Sequence, residues 1–351
     1  MPYYLIPILT YLAFLFEKPG KKNILYKIFL GSAISMVIFM VGFRSPVTGT
    51  DTPQYIGYFS EWVPKIEPGF NLLALLFRTV GANFTVFFTI YIIVTLTLRY
   101  LAFKRMSNSL AISLMVTFGF WLLVYDFNGI RQGLSVAFLG LATYHTYKQN
   151  LYKYLLFVGL AISFHYSSLV FLPFYFLVHL KLDKVGMFII IGFIFIFNLF
   201  DLSKYVFSFF MDGSGGYFST KTSAYSSIEE YNSNALFSFG VIHRFVIFLF
   251  TLFTVEKIIA DKFLQRIFLM AAFLNFATYL MLSSIELIAI RGSLGFRYIE
   301  CIYFSYIPFL FKNKFLKQIA GFILLLYVLF QISLILSSPD GNLVPYRSVF
   351  G

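Results

Sequence analysis

Charge is what this sequence has least of: Asp, Glu, Lys and Arg make up 12% of its 351 residues, against 59% hydrophobic and 21% aromatic residues. So little polar surface cannot cover a water-soluble domain, which excludes a soluble enzyme or binding module. Cysteine is nearly missing. Cys301 stands alone, so there is no internal disulfide and no thiolate metal cluster. The 4 histidines fall at no metal-ligand spacing, and neither a metal nor another cofactor is expected. Glycine-rich phosphate loops and a serine-nucleophile elbow are lacking as well, which argues against a nucleotide-sugar donor. Acidic residues number 15 against 27 basic ones, a formal charge of +12. The basic residues are dispersed over short loops without interleaved aromatics, so no nucleic-acid partner is expected.

What is present is hydrocarbon in long runs. "IAGFILLLYVLFQISLIL" (Ile319 to Leu336) and "FTVFFTIYIIVTLTL" (Phe84 to Leu98) approach the roughly 20 apolar residues that cross a bilayer as a helix. Apolar residues run consecutively instead of alternating, which selects helices over barrel strands. The expected fold is an all-α, polytopic membrane domain over residues 1–351 with about twelve spans. They are placed at 3–16, 26–43, 83–103, 109–125, 130–147, 151–164, 166–180, 185–200, 238–256, 264–285, 296–311 and 318–337. The first is read as a span and not a signal peptide, since it has no preceding basic region and no small-residue cleavage site. Every second connection is basic, as at Lys18, Lys21, Lys22 and Lys27, at Lys104 and Arg105, or at Lys312, Lys314 and Lys317. The positive-inside rule puts these in the cytoplasm and both termini outside.

That orientation sends nearly every unusual polar residue to the outer face. A first large external loop, 44–82, carries Arg44, Thr50, Asp51, Tyr55 and Glu67. "FNGIRQ" adds Asn128, Arg131 and Gln132, and "FHYSS" adds His165. Arg244 begins the ninth span, and Arg291, Arg297 and Glu300 flank the last outer loop. A second long external loop, 201–237, is a candidate lid or a passive surface loop. Each feature also has a purely structural reading. Arg44 could snorkel at a helix end, Asp51 could close an Asx turn, and Asn128 could cap a helix that starts in "NGIRQ". Glu300 could neutralise Arg297, and His165 could be an ordinary hydrogen-bonded interior histidine. Arginines near a membrane normally have anionic partners. Five on one face outnumber the carboxylates beside them, and the group reads as a site for a phosphate-bearing ligand.

The segments "FRSPVTGTDTPQYIGYF", "EPGFNLL", "FNGIRQGLSVAF" and "SFHYSSLVFLP", in this order, with "RYIECIYF" later, resemble the EpsG-like family of Wzy-type polysaccharide polymerases. The resemblance runs from about Arg44 to Pro308. It implies a GT-C-like polymerase architecture and a glycosyltransferase that joins oligosaccharide repeat units carried on undecaprenyl diphosphate. The setting would be the outer face of the bacterial cytoplasmic membrane, among membrane lipid, with a chain-length regulator as a candidate partner. Arg44, Arg131 and Arg297 match family motif positions and are assigned to the diphosphate, with Arg291 and Arg244 behind them. Asp51 is the first choice for general base, ahead of Glu67 and His165. Thr50, Tyr55, Asn128 and Gln132 are candidate substrate contacts. The rival class is a lipid-linked oligosaccharide flippase or other transporter, in which repeated halves and charges deep in the spans are expected. A membrane O-acyltransferase built on His165 is the third reading.

Overall fold

A computed structural model describes residues 2–17, 23–200, 238–283, 285–338 and 341–351. The expected lid at 201–237 and the lysines at 18, 21 and 22 therefore lie outside the described residues. The described chain is helical, with one isolated antiparallel bridge between Arg44 and Ser348. It divides into two compact units, one of Met1–Tyr166 with Cys301–Gly351, the other Ser167–Glu300.

The first unit contains α1 (Pro2–Phe16), α2 (Ile24–Gly42), α3 (Thr52–Ser60), α4 (Pro68–Thr79), α5 (Phe84–Met106), α6 (Leu110–Val116), α7 (Ile130–Tyr147) and α8 (Leu151–Phe164). A π-helical stretch, Thr117–Asp126, continues α6 and is kinked at Gly119. Asn83, Ser109 and Asn150 cap α5, α6 and α8 through their side chains, supplying acceptors that the first turn of a helix lacks. Helix α7 is the centre. It packs on α5 and α8, and 13 of its 18 residues are buried, so protein and not lipid surrounds its polar side chains.

The second unit contains α9 (Phe174–His179), α10 (Lys184–Leu199), α11 (Phe239–Ile258), α12 (Lys262–Met281) and α13 (Glu286–Tyr298), with α12 packed against the other four. The last long helix, α14 (Lys314–Ser337), belongs to the first unit and packs on α1.

Two expectations are corrected here. The span placed at 166–180 is a 3-10 turn, Tyr166–Phe171, followed by the six-residue α9. Pro173 separates the two pieces, since it cannot donate a helical hydrogen bond and disfavours helical geometry in the residue before it. The span placed at 296–311 starts ten residues earlier as α13 and then breaks into a turn, Glu300–Tyr303, and a 3-10 segment, Phe304–Leu310, that contains Pro308. Arg291 and Arg297 are therefore on a helix and do not flank a loop.

Among the described residues, five helices are long and apolar enough to cross a bilayer: α2, α5, α11, α12 and α14. Five shorter apolar helical stretches accompany them. The burial pattern is inverted relative to a water-soluble protein. Arg99, Asp126, Glu67 and Arg44 are 0 to 3% exposed, whereas Phe193 and Phe315 are 69% and 67% exposed. Only an apolar solvent outside makes that arrangement favourable.

Within the first unit, successive long helices run in opposite directions and leave two chemically different ends. At one end the Arg105 guanidinium lies 5.0 Å from the Tyr144 ring and Lys317 lies 4.9 Å from Phe309. There too, Tyr306 donates to the Met106 carbonyl at 2.6 Å and the Leu110 amide donates to Glu17 at 3.1 Å. At the other end Tyr3 donates to the Leu343 carbonyl at 2.7 Å, beside the loop that follows α2.

Candidate functional site

The second of these ends gathers four sequence segments that are far apart in the chain. Arg44 leaves α2 and turns inward. Its Nε donates to Thr52 Oγ1 and its Nη1 to the Asp126 carbonyl, both at 3.0 Å. The guanidinium stacks 4.0 Å from the Phe88 ring centre, a favourable cation–π geometry. Its Nη2 is buried without a hydrogen-bond partner. A residue that is 3% exposed is not snorkelling, so that reading of Arg44 fails.

Asp51 stands at the N-cap position of α3, yet its side chain makes no cap hydrogen bond. The Asx-turn reading fails too, and the carboxylate is left half-buried in the field of Arg44. Thr50 is exposed beside it. Asn128 does not cap α7: that position is held by Gly129, which makes no side-chain bond. Its Oδ1 is instead buried and unpaired, facing Gly49.

Gly49 has φ +85°, and a Cβ there would meet Asn128 Oδ1 at 2.8 Å. Both the left-handed backbone and the close approach require glycine. Gly49→Ala is expected to cost about 1–2 kcal/mol, measurable as a lowered melting temperature of the detergent-purified protein.

Glu67, at the N-cap of α4, forms an ion pair with Arg131 in the first turn of α7. The Tyr166 amide approaches the other Glu67 oxygen at 3.5 Å. The rings of Tyr55 and Tyr58 lie 5.7 Å from the Arg131 guanidinium. Burial raises the Tyr55 hydroxyl above its ordinary pKa, with Arg131 opposing, so the phenol stays protonated. The Arg131 Nε has no partner. At the next residue, Gln132 Nε2 and His165 Nε2 are 3.0 Å apart, which makes the imidazole nitrogen the acceptor.

The sequence reading missed the pair beneath this cluster. Arg99 of α5 and Asp126 at the end of the π-helical stretch form a bidentate, fully buried ion pair, with the second contact at 2.9 Å. Arg99 also donates to the Gly133 carbonyl at 3.3 Å. The signal was available: an arginine within a long apolar helix needs an anion nearby. The widened turns, where Phe127 and Gly129 donate five residues back, bring Asp126 to Arg99 and set the start of α7. Such π-bulges recur at functional sites.

The remaining arginines lie in the second unit. Arg244 is 4% exposed, stacks 3.6 Å from the Tyr279 ring and donates to the Gly240 carbonyl at 3.1 Å. Glu300 accepts from Asn275 at 2.6 Å and feels the charges of Arg297 and Arg244. Arg291 and Arg297 are half-buried on α13. The five arginines thus divide two and three between the units, and Arg131 has its own carboxylate.

Buried charge pairs, an apolar exterior and a polar cluster at one end of the helices define a helical membrane protein whose candidate site is in its first unit. The chain belongs to the EpsG family, whose model matches residues 27–348. EpsG-like proteins are Wzy-type polymerases, and membership points to a role in polysaccharide polymerisation. Comparison with characterised proteins and with solved structures gave no match.

Proposed function

We propose that this protein polymerises oligosaccharide repeat units carried on undecaprenyl diphosphate, at the outer face of the bacterial cytoplasmic membrane. The growing glycan would leave its lipid diphosphate and pass to a hydroxyl of the next lipid-linked unit. The observation that carries this reading is the meeting of the "GTDT", "EPGF", "NGIRQ" and "FHYSS" segments in one polar cluster of an EpsG-family chain.

Such a transfer requires positive charge where the diphosphate departs and a base beside the acceptor hydroxyl. Arg44 and Arg131 each keep a buried nitrogen without a partner, which supports assigning them to the diphosphate alongside Arg297, Arg291 and Arg244. The geometry also separates the carboxylates. Glu67 is engaged with Arg131 and acts in this reading by holding that guanidinium. Asp51, with no cap bond to maintain, is the better base. His165, already tied to Gln132, ranks behind it. Thr50, Tyr55, Asn128 and Gln132 remain the proposed sugar contacts.

Deleting the gene and following the lipid-linked repeat unit tests the function. A lost polymerase leaves single repeat units exposed outside, whereas a lost flippase traps them inside. Orientation is tested separately. In a Cys301→Ser background, a membrane-impermeant thiol reagent applied to intact cells is expected to label Thr50→Cys and not Lys104→Cys or Lys314→Cys. Labelling at position 314 without labelling at 50 would invert the orientation and move the site to the cytoplasm.

A further inference from the structure

The last eleven residues, "GNLVPYRSVFG", follow the final long helix, where a chain normally frays. Here the backbone is tied down at close intervals. The Ser45 amide donates to the Arg347 carbonyl, the Val349 amide to the Phe43 carbonyl and the Gly49 amide to the Asn342 carbonyl, each at 2.9 Å. Tyr346 donates to the Met40 carbonyl at 3.2 Å and Tyr3 to the Leu343 carbonyl at 2.7 Å. Leu343 is 2% exposed, and the Phe350 ring stacks 5.8 Å from Phe43.

One path leads from this segment into the site. Thr48 Oγ1 donates to the Arg347 carbonyl at 2.9 Å, Thr52 Oγ1 donates to the Thr48 carbonyl at 2.7 Å, and Arg44 Nε donates to Thr52 Oγ1 at 3.0 Å. We propose that residues 341–351 are a positioning strap: through one antiparallel bridge and its flanking backbone bonds they hold the loop after α2 and fix the direction in which Arg44 and Asp51 face their substrate.

The bonds are mostly to backbone, so side-chain pattern in the tail carries little of the role. The loop has glycine at position 49 and proline at 46, and its own turns supply only the Thr48 to Ser45 and Thr52 to Gly49 backbone bonds. Without the strap, the amides of Ser45 and Gly49 and the Phe43 carbonyl would turn to water. Thr48, whose carbonyl holds the threonine bonded to Arg44, would lose its anchor. The consequence for catalysis rests on the reading of Arg44 as a substrate-facing group. The structural consequence does not.

Val349 gives a clean comparison, because its side chain is 43% exposed while its amide is bonded. Val349→Ala keeps the bond and Val349→Pro removes the donor. In the purified full-length protein, amide hydrogen exchange over residues 43–52 is expected to speed up in Val349→Pro and to stay unchanged in Val349→Ala. Turnover of lipid-linked repeat units, extracted from cells that lack the polymerase, should fall at least tenfold in Val349→Pro, in kcat more than in KM. The loss should not add to that of Arg44→Ala, since both act through one guanidinium. Thr48→Val, which cuts only the side-chain link, should move exchange and turnover in the same direction by a smaller factor. Unchanged exchange in both Val349→Pro and Thr48→Val would overturn the strap. Multiplicative losses with Arg44→Ala would overturn its action through Arg44. A silent Arg44→Ala would instead refute the assignment of that residue, with the exchange measurements still judging the strap.

Discussion

Cells carrying Arg131→Ala or Arg297→Ala are expected to make no polymer while the protein still reaches the membrane. In the proposed reaction the departing diphosphate loses its counter-charge, and a preorganised cation in a low-dielectric site is among the largest contributions to such a step. For Arg131 the structure adds a second consequence. Removing it strands Glu67, which is 2% exposed, as a buried unpaired carboxylate, and breaking a buried pair from one side typically costs about 3–5 kcal/mol. Alanine therefore combines a catalytic loss with a folding loss, and the two must be separated. Arg131→Lys keeps a charge for Glu67 but lacks the planar fork that grips two phosphate oxygens, so it should restore stability and little polymer. The double variant Glu67→Gln with Arg131→Gln should be as stable as the wild type within about 1 kcal/mol and as inactive as Arg131→Ala. Normal polymer lengths in well-expressed Arg131→Lys and Arg297→Ala cells would refute the assignment. Recovery of polymer in the double variant would show that the pair serves structure alone.

Much of the fold is legible in hydropathy. The ends of α1, α7 and α8 fall within a residue of the boundaries read from sequence, helped for α8 by the cap residue Asn150 ahead of it. The alternation of basic loops also has a structural counterpart, with Arg105 and Lys317 at the end of the first unit opposite Arg44 and Arg131. Reading fails where a helix is broken inside an apolar run. Tyr166–His179 and Phe304–Leu310 are as greasy as their neighbours, and only Pro173 and Pro308 announce the break. It fails again at α13, where "ELIAIRGSLGFRY" is too polar to score as a span, although its buried glycines and serine pack well inside the second unit.

The site shows the same division. Residue types near the ends of spans suggest a polar cluster, but partnership is a tertiary fact. Glu67 and Arg131 are 64 positions apart, and nothing local says that one neutralises the other. Arg99 and Asp126 were hidden by opposite errors. The arginine was absorbed into a hydrophobic average, and the aspartate sat at a boundary where charge is ordinary. The strap is silent in sequence for a different reason: a segment that acts through its backbone leaves no pattern in its side chains.

Asp51→Asn carries the second large effect. A general base contributes roughly a hundredfold to ten-thousandfold, so turnover of lipid-linked repeat units should fall by about a hundredfold or more while their binding persists. The structure sharpens this substitution. Asparagine and aspartate are comparable helix caps, and at an ordinary N-cap the change would be silent for a trivial reason. Here the Asp51 side chain makes no cap bond, so asparagine has no structural duty to inherit and any loss of turnover reports the carboxylate itself. Its neighbour Arg44 keeps one buried nitrogen unpaired and is the proposed diphosphate contact beside it. The base needs hydrogen-bond reach to the acceptor hydroxyl, directly or through one water. Asp51→Glu, which lengthens the arm by one methylene, should therefore recover part of the activity that Asp51→Asn loses. Near-normal turnover of purified Asp51→Asn would remove Asp51 from the reaction. The carboxylate next in line would then be Glu67, and its Glu67→Gln variant would have to be measured beside Arg131→Lys, because in this structure the fate of that carboxylate cannot be separated from the guanidinium it holds.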